Sequence, residues 1–460
     1  MRRYKVAIIG GGPGGYVTAI RLQQYGIETV VFEKERLGGV CLNRGCIPTK
    51  SLVKVAELFS EIKNSDEFGI SVGDVNLDYK KVWERKNHVV EKLVSGIEFM
   101  FNKRKIPLIL KEVNKIKSID GKYYISLDED EFEFDYVIIA TGSAPKELPS
   151  IKIDGKDVLS SKDILEITEL PKSLVVVGGG VVGCEFASIF SQFGVKVDIV
   201  EFLPNLVFNE DLEISKRLAM SLKKAKIKIH LKTGMESYEK QGENLIVKLS
   251  NGKEIETEKI LLSVGRKPVC NLTFDTELAK NNDFINIDDS FRTNLPNVFA
   301  IGDVTGKLML AHTASKQGLI VADIINNHNT ETFKLSYDNI PKCTFTNVEI
   351  GSVGLTEEKA KEKYSEILVG KFPFSANGKA LGSGHTFGFV KVIADKETKK
   401  LVGVHIIGPH ATELIAQCVV LLQTESTIED VSQIVFAHPT LSETVMEAIE
   451  DLEKLAIHKL

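Results

Sequence analysis

Two cysteines, Cys41 and Cys46, stand five positions apart in the stretch GGVCLNRGCIPTK from Gly38 to Lys50. Such thiols can pack in a core, hold a metal or cycle between dithiol and disulfide. A structural zinc needs about four Cys or His ligands, usually in closely spaced pairs. The other cysteines, Cys184, Cys270, Cys343 and Cys418, are scattered singly, so no metal is expected. Thiols that only pack need no company of glycines and a proline. The redox reading uses that company. Residues five apart on a regular helix have Cα atoms roughly 8–9 Å apart, beyond disulfide reach. Gly45 and Pro48 predict that the chain is not regular helix at this point. Pro48 suits a first helical turn, with TKSLVKVAELF continuing as an amphipathic helix. Cys46 would then lie near a helix N-terminus, where a thiolate is favoured. Far away, AHPTLSETVMEAIEDLEKL holds His438 and Glu443. Imidazole is the natural base near neutral pH, and a carboxylate can orient it. Spacing alone favours an ordinary surface histidine at this position.

The cysteines follow a strand–turn–helix–strand unit. VAIIGGGPGGYVTAIRLQQYGIETVVFEKE places Gly10, Gly12 and Gly15 in the G-x-G-x-x-G spacing, and Glu33 closes the second strand. The first strand is expected from about Tyr4. Gly10 permits a tight turn, Gly12 lets the backbone approach a pyrophosphate, and Gly15 lets helix and strand pack closely. Glu33 would accept ribose hydroxyls. The pattern returns in LVVVGGGVVGCEFASIFSQFGVKVDIVEF as Gly178, Gly180, Gly183 and Glu201, each 168 residues after its counterpart. Gly26 and Gly194 match at the same interval. Two such units imply two dinucleotides, a flavin and a nicotinamide, with electrons passing between them. The second unit should prefer NAD, because Glu201 is followed by FLPN without the cation a 2′-phosphate needs.

The 460 residues call for two to four domains. The net charge of −5, without a long basic run, argues against nucleic acid or a membrane surface as partner. No apolar run could span a bilayer. The apolar stretch after MRRYK ends within four residues, too short for a secretion signal. A reducing cytoplasm is therefore expected, where a close cysteine pair is catalytic or metal-binding rather than structural.

The motifs GGGPGGYVTAIR, GGVCLNRGCIPTK, ATGSAP, GGGVVGCE, VGRKP, VFAIGDVTGKLMLAH and HPTLSE run from end to end. In their order they resemble the class I pyridine nucleotide–disulfide oxidoreductases, and within these the branch that oxidises dihydrolipoyl groups. The resemblance implies an α/β fold: two Rossmann-like domains, for FAD and NAD, and a C-terminal α+β dimerisation domain. The FAD domain would span 1–142, the NAD domain 143–265, a central segment completing the FAD site 266–336, and the interface domain 337–460. The implied reaction is FAD-dependent oxidation of protein-bound dihydrolipoamide, with NAD+ reduced to NADH through a Cys41–Cys46 disulfide. The implied protein is a homodimer. Its partner would be a lipoyl-bearing domain, of an acyltransferase in a 2-oxo acid dehydrogenase complex or of a glycine cleavage carrier.

By position, Cys46 would be the flavin-proximal thiol and Cys41 the interchange thiol. Lys50 would sit near the flavin, paired with Glu185. Thr141, Gly142, Ser143, Asp303, Met309, Leu310, Ala311 and His312 would complete the FAD site. Val182, Met235 and Gly265 would flank NAD, and His438 and Glu443 would be the base and its orienter. TNVE at Thr346–Glu349 lacks the proline common in the family, and Lys379 replaces the usual arginine. Both fall in the expected interface domain. The alternatives are a glutathione-type reductase, disfavoured by the missing cation after Glu201, and a non-catalytic core that only binds a complex.

Overall fold

The computed structural model describes residues 1–327 and 335–459; residues 328–334, inside the expected central segment, and Leu460 lie outside the described residues. The strand Val6–Ile9 is buried along its whole length and runs into Gly10. An apolar run of this kind suits the middle of a parallel sheet covered on both faces. It begins two residues later than the sequence suggested, because Arg2–Arg3 pairs instead with Phe132 and Glu133 in a neighbouring sheet. The first sheet runs Val298–Ala300, Tyr136–Ile139, Val6–Ile9, Thr29–Phe32, Leu108–Ile109, all parallel. Side chains alternate between its faces. Val6, Ile8 and Val31 pack with Ala19, Leu22 and Val321 of the helices Pro13–Gln24 and Ala311–Ile325. Ala7, Ile9 and Val30 pack with Ile125, Phe132 and Phe134 of an antiparallel meander.

A second unit repeats this plan. Its sheet runs Val158–Leu159, Lys259–Leu262, Ser173–Val177, Lys196–Val200, Lys228–His230, again all parallel. One face meets the helices Val181–Gln192 and Leu212–Lys224, and the other meets the meander Met235–Gln241, Asn244–Leu249, Glu254–Thr257. The chain leaves the first unit through Ser143–Pro145 and returns through Arg266–Pro268, and these two short strands pair antiparallel. The second unit therefore hangs from a two-stranded ribbon.

The C-terminal sheet is antiparallel, in the order Lys342–Thr344, Glu349–Gly354, Leu401–Gly408, Phe389–Asp395, Ile367–Pro373. The helices Ala411–Gln423 and Glu443–Glu450 pack on it. Across the sheet, Lys371, Lys391, His405, Ser352 and Lys342 stand in one register row. The acidic segment 209–213 of the second unit meets this row. Lys391 Nζ donates to both Asp211 oxygens at 2.9 Å and lies 2.7 Å from Glu357 Oε2. Lys371 Nζ reaches Glu213 at 2.9 Å. The side chains of Lys391 and Asp211 are 1% and 0% exposed, so this clasp is buried.

Candidate active site

The cysteine stretch forms two helices with a break between them. Gly39–Arg44 ends at Gly45, whose backbone (φ −145°, ψ −110°) is not helical, and Cys46–Lys63 begins directly after it. The break brings the Cα atoms of Cys41 and Cys46 to 4.7 Å, and the two residues are joined as a disulfide. Cys46 opens a helix whose first turn has no side-chain cap and no acidic residue. Its unpaired N–H groups and the helix dipole favour a Cys46 thiolate once the bond opens. Cys46 is exposed and Cys41 half-buried. Three of the other thiols are unsuited to such chemistry. Burial pushes Cys184 up strongly, Cys418 to about 12 and Cys343 to about 11.

Lys50 follows Cys46 by one helical turn, on the same face. Its Nζ donates to both oxygens of Glu185 at 2.9 Å, as expected for the pair. The two residues are 135 positions apart, in different units.

The two glycine turns share their backbone geometry. Gly10 and Gly178 have φ of +110° and +108°, which side chains rarely adopt. A Cβ at Gly15 would run into the carbonyl of Gly10, and one at Gly183 into that of Gly178. Both helices begin after an extended glycine, Gly12 and Gly180, and neither has a side-chain cap. Their N-terminal N–H groups are thus open to an anion. A Cβ built on Gly180 would meet nothing within 4 Å. Val182, in the first turn of that helix, is exposed beside it.

Glu33 Oε2 accepts from the Gly11 N–H at 2.7 Å, and Glu201 Oε2 accepts from Gly179 N–H at 2.5 Å. Each carboxylate is held at its strand end by the turn it serves. Burial pushes the Glu33 pKa up, against the pull of the Gly11 and Lys34 N–H groups.

A cavity beside the first turn is lined by Gly10, Phe32, Glu33, Thr141, Asn271 and Leu272. Thr141 Oγ1 is buried and has no hydrogen-bond partner among the described residues. An uncapped helix start, a turn that only glycine fits and an orphaned hydroxyl beside a cavity suit a bound dinucleotide. Next to Thr141, Gly142 has φ of +74°. Ser143 Oγ donates to Asp303, and Arg266 Nε donates to Ser143 Oγ at 2.7 Å. The ribbon between the units is thereby tied to Asp303. Leu310 caps the helix that Ala311 and His312 open, with Met309 exposed just before it. His312 Nε2 lies 2.9 Å from the Pro341 carbonyl. On the second unit, Met235 is buried at the start of its strand and Gly265 has φ of +113°.

His438 Nδ1 lies 2.8 Å from Glu443 Oε1, and Glu443 Oε2 accepts from Thr440 N–H at 2.8 Å. Burial opposes charge on Glu443, but the Thr440 N–H and His438 hold its pKa below the usual carboxylate range. It stays an anion and fixes Nδ1 as the donor, which leaves Nε2 to accept a proton. The His438 side chain is 78% exposed. No hydrogen bond among the described residues joins it to either sulfur of the disulfide. Sequence reading missed two residues. Arg266 binds Ser143, and Phe345 lies with its ring 4.2 Å from Lys50 Nζ. Arg266 adjoins Gly265 in VGRKP, but Phe345 has no local signal, being far from Lys50 in sequence.

Residues 4–318 match the family model described as pyridine nucleotide-disulphide oxidoreductase, and residues 340–449 match its dimerisation domain. A Bacillus subtilis protein named dihydrolipoyl dehydrogenase is 39% identical, covering 99% of each chain. The mitochondrial protein of that name from Pisum sativum is 39% identical over 96% of this chain and 90% of its own. Among solved structures, the HOCl-induced flavoprotein disulfide reductase RclA from Escherichia coli, as its Cu(II) complex, aligns with a TM-score of 0.84 at 26% identity, over 98% of this chain and 99% of its own. LpdA from Mycobacterium tuberculosis, at 24% identity, shares the fold with a TM-score of 0.88, over 98% and 100%. Doubled dinucleotide units, a disulfide at a helix start and matches along nearly the whole chain converge: the chain belongs to the pyridine nucleotide-disulphide oxidoreductase family, an oxidoreductase that works with FAD and NAD.

Proposed function

We propose that this protein oxidises dihydrolipoyl groups carried on a partner protein and passes the electrons to NAD+. The observation that carries the reading is the Cys41–Cys46 disulfide at an uncapped helix start, on a chain with two glycine-turn dinucleotide sites. The names of the relatives at 39% identity support the choice of substrate. Gly10, Gly12, Gly15, Glu33, Thr141 and Asp303 would hold FAD, and Gly178, Gly180, Gly183 and Glu201 would hold NAD. Bound FAD supplies a two-electron relay between the protein dithiol and the nicotinamide.

The protein's own residues handle thiols and protons. His438 Nε2 takes the proton of one substrate thiol, and the imidazolium is stabilised by Glu443. The substrate thiolate attacks Cys41 Sγ. The Cys41–Cys46 bond breaks, and Cys46 leaves as a thiolate favoured by the helix N-terminus. The second substrate thiol then attacks the substrate sulfur of the mixed disulfide. Cys41 leaves, accepting the proton stored on His438, which takes the proton of the second substrate thiol in its place, so the two substrate protons end on Cys41 and His438 and Cys46 remains a thiolate. The substrate loses two electrons and closes its disulfide, and the protein gains them as a thiol and a thiolate. The partner would be a lipoyl-bearing domain of an acyltransferase or a glycine cleavage carrier.

Turnover of flavin-loaded protein with dihydrolipoamide and NAD+, beside glutathione disulfide and NADPH, tests the reading. Rapid NADH formation in the first assay and none above background in the second is expected. The reverse pattern would replace it with a glutathione-type reductase. Bound flavin that dihydrolipoamide cannot reduce would leave a non-catalytic core.

A further inference from the structure

The Lys50–Glu185 pair is gripped by a third element. Between the first two strands of the C-terminal sheet, the segment 345–348 reaches into the junction of the two dinucleotide units. The Phe345 N–H donates to Glu185 Oε1 at 2.9 Å, and the Asn347 N–H donates to Ser188 Oγ at 2.9 Å. Both acceptors lie on the helix Val181–Gln192, so the register of the segment on that helix is set twice. The Phe345 ring faces Lys50 Nζ, with its centroid 4.2 Å away.

An ammonium has three N–H donors. Two of those of Lys50 go to the Glu185 oxygens. The face of the ring offers the remaining side of the cation an attractive partner. The Lys50 side chain is 30% exposed against 6% for Glu185, so the lysine is the less enclosed member of the pair within the protein. A flexible four-carbon stem takes its place from the groups that meet its head. Its position matters because Lys50 stands one helical turn from Cys46, on the same face.

We propose that Phe345 is a positioning residue, whose ring and backbone N–H hold Lys50 and Glu185 in one arrangement and so set how readily Cys46 exists as a thiolate. The proposal deepens the proposed function, in that it rests on Cys46 being a redox thiol. Other charges near this helix come from Arg44 before it, Arg85 on Ser51, and Glu349 in the C-terminal sheet. Cys343, in the C-terminal sheet, also feels Lys50. None of these is changed by substituting Phe345.

The test uses flavin-loaded protein carrying Cys41→Ser, which leaves Cys46 as a free thiol. The rate of Cys46 alkylation by iodoacetamide is followed against pH, with the adduct located by peptide mass. Adding Phe345→Leu keeps apolar bulk and the backbone N–H but removes the ring face. It should raise the alkylation midpoint, lowering the thiolate fraction about threefold or more below that midpoint. Phe345→Tyr keeps the ring and should restore the parent profile, which a loss of packing would not explain. Lys50→Met should shift the midpoint at least as far. If Phe345→Leu does not yield flavin-loaded protein, Phe345→Met serves the same comparison. An unmoved midpoint in the leucine or methionine variant overturns the proposal, whether or not Lys50→Met moves it. Dihydrolipoamide turnover of the wild type is measured separately. A wild type inactive on that substrate, with the midpoint still shifting, would sink the substrate reading and leave this inference standing.

Discussion

The proposed preference for NAD over NADP rests on one carboxylate. Glu201 is 9% exposed, and its two oxygens accept from Gly179 N–H at 2.5 Å and Leu203 N–H at 2.6 Å. A 2′-phosphate would have to lie against it. Two like unit charges 4 Å apart repel by about 4 kcal/mol at an effective dielectric constant of about 20. Even at about 8 Å roughly 2 kcal/mol remains, a factor of about thirty. NADP also loses the ribose hydrogen bonds to a charged acceptor, worth about 1.5–3 kcal/mol. The preference for NAD in kcat/KM should therefore be at least about 100-fold. Glu201→Gln separates the two contributions. The amide has one oxygen where the turn presents two N–H donors, so binding of both cofactors should weaken. That loss is shared and cancels in the ratio. The charge contribution does not cancel, and the ratio should fall by roughly thirtyfold. Lys232, in the loop after Lys228–His230, donates its N–H to the Leu203 carbonyl, which brings its backbone to the loop after Glu201. If its ammonium meets the 2′-phosphate of NADP, adding Lys232→Ala to Glu201→Gln should restore part of the preference for NAD. Steady-state kinetics with dihydrolipoamide and each nucleotide decide the matter. Equal kcat/KM for the two in the wild type, or an unchanged ratio in Glu201→Gln, would refute the reasoning.

Lys391→Met leaves Asp211 buried without its cation and should destabilise the protein by about 3–5 kcal/mol in denaturant titrations, as loss of one member of a buried pair does; a change below about 1 kcal/mol would contradict the buried clasp. Burial alone raises the Asp211 pKa, while His405, Lys391 and the Glu357 N–H bring it below the usual range; burial also lowers the His405 pKa, so Lys391 is the charge that acts near neutrality. The wild-type pair is thus stabilising above the unfolded carboxylate value of about 4 and weakens as pH falls through the lower folded value, whereas the variant gains from protonating Asp211, so the gap between them should narrow in acid. If each site takes its cysteines from one protomer and His438 from the other, mixed dimers of Cys41→Ser and His438→Gln should recover about half the wild-type activity through their one intact site. Mass-verified mixed dimers no more active than the two parents would place both groups in one chain.

What was legible in the sequence was what the backbone demands locally. Gly10 and Gly178 had to be glycine because the turn needs positive φ, and Gly15 and Gly183 because a Cβ would meet a carbonyl. The interval that repeats these glycines also repeats the order of four of the five strands, while the outer strand is Val298–Ala300, late in the chain, in the first sheet and Val158–Leu159, ahead of the glycine turn, in the second. The glycine between the cysteines announced a broken helix, and the break is what lets the sulfurs meet. Contacts made by folding left no such mark. Lys391 and Asp211 are 180 residues apart, and nothing near either names the other. The grip of Phe345 on Lys50 belongs to the same class. The TNVE departure shows the two kinds of information meeting. A proline would stiffen that turn through its ring. Here Thr346 Oγ1 donates to the Val348 carbonyl at 2.6 Å, and Asn347 N–H is held by Ser188. These hydrogen bonds hold the segment that carries Phe345 in a chain without the proline. Nothing in the structure explains lysine at position 379. The two departures look alike in the sequence, and only the first lies in a segment whose contacts tie it to the paired Lys50 and Glu185.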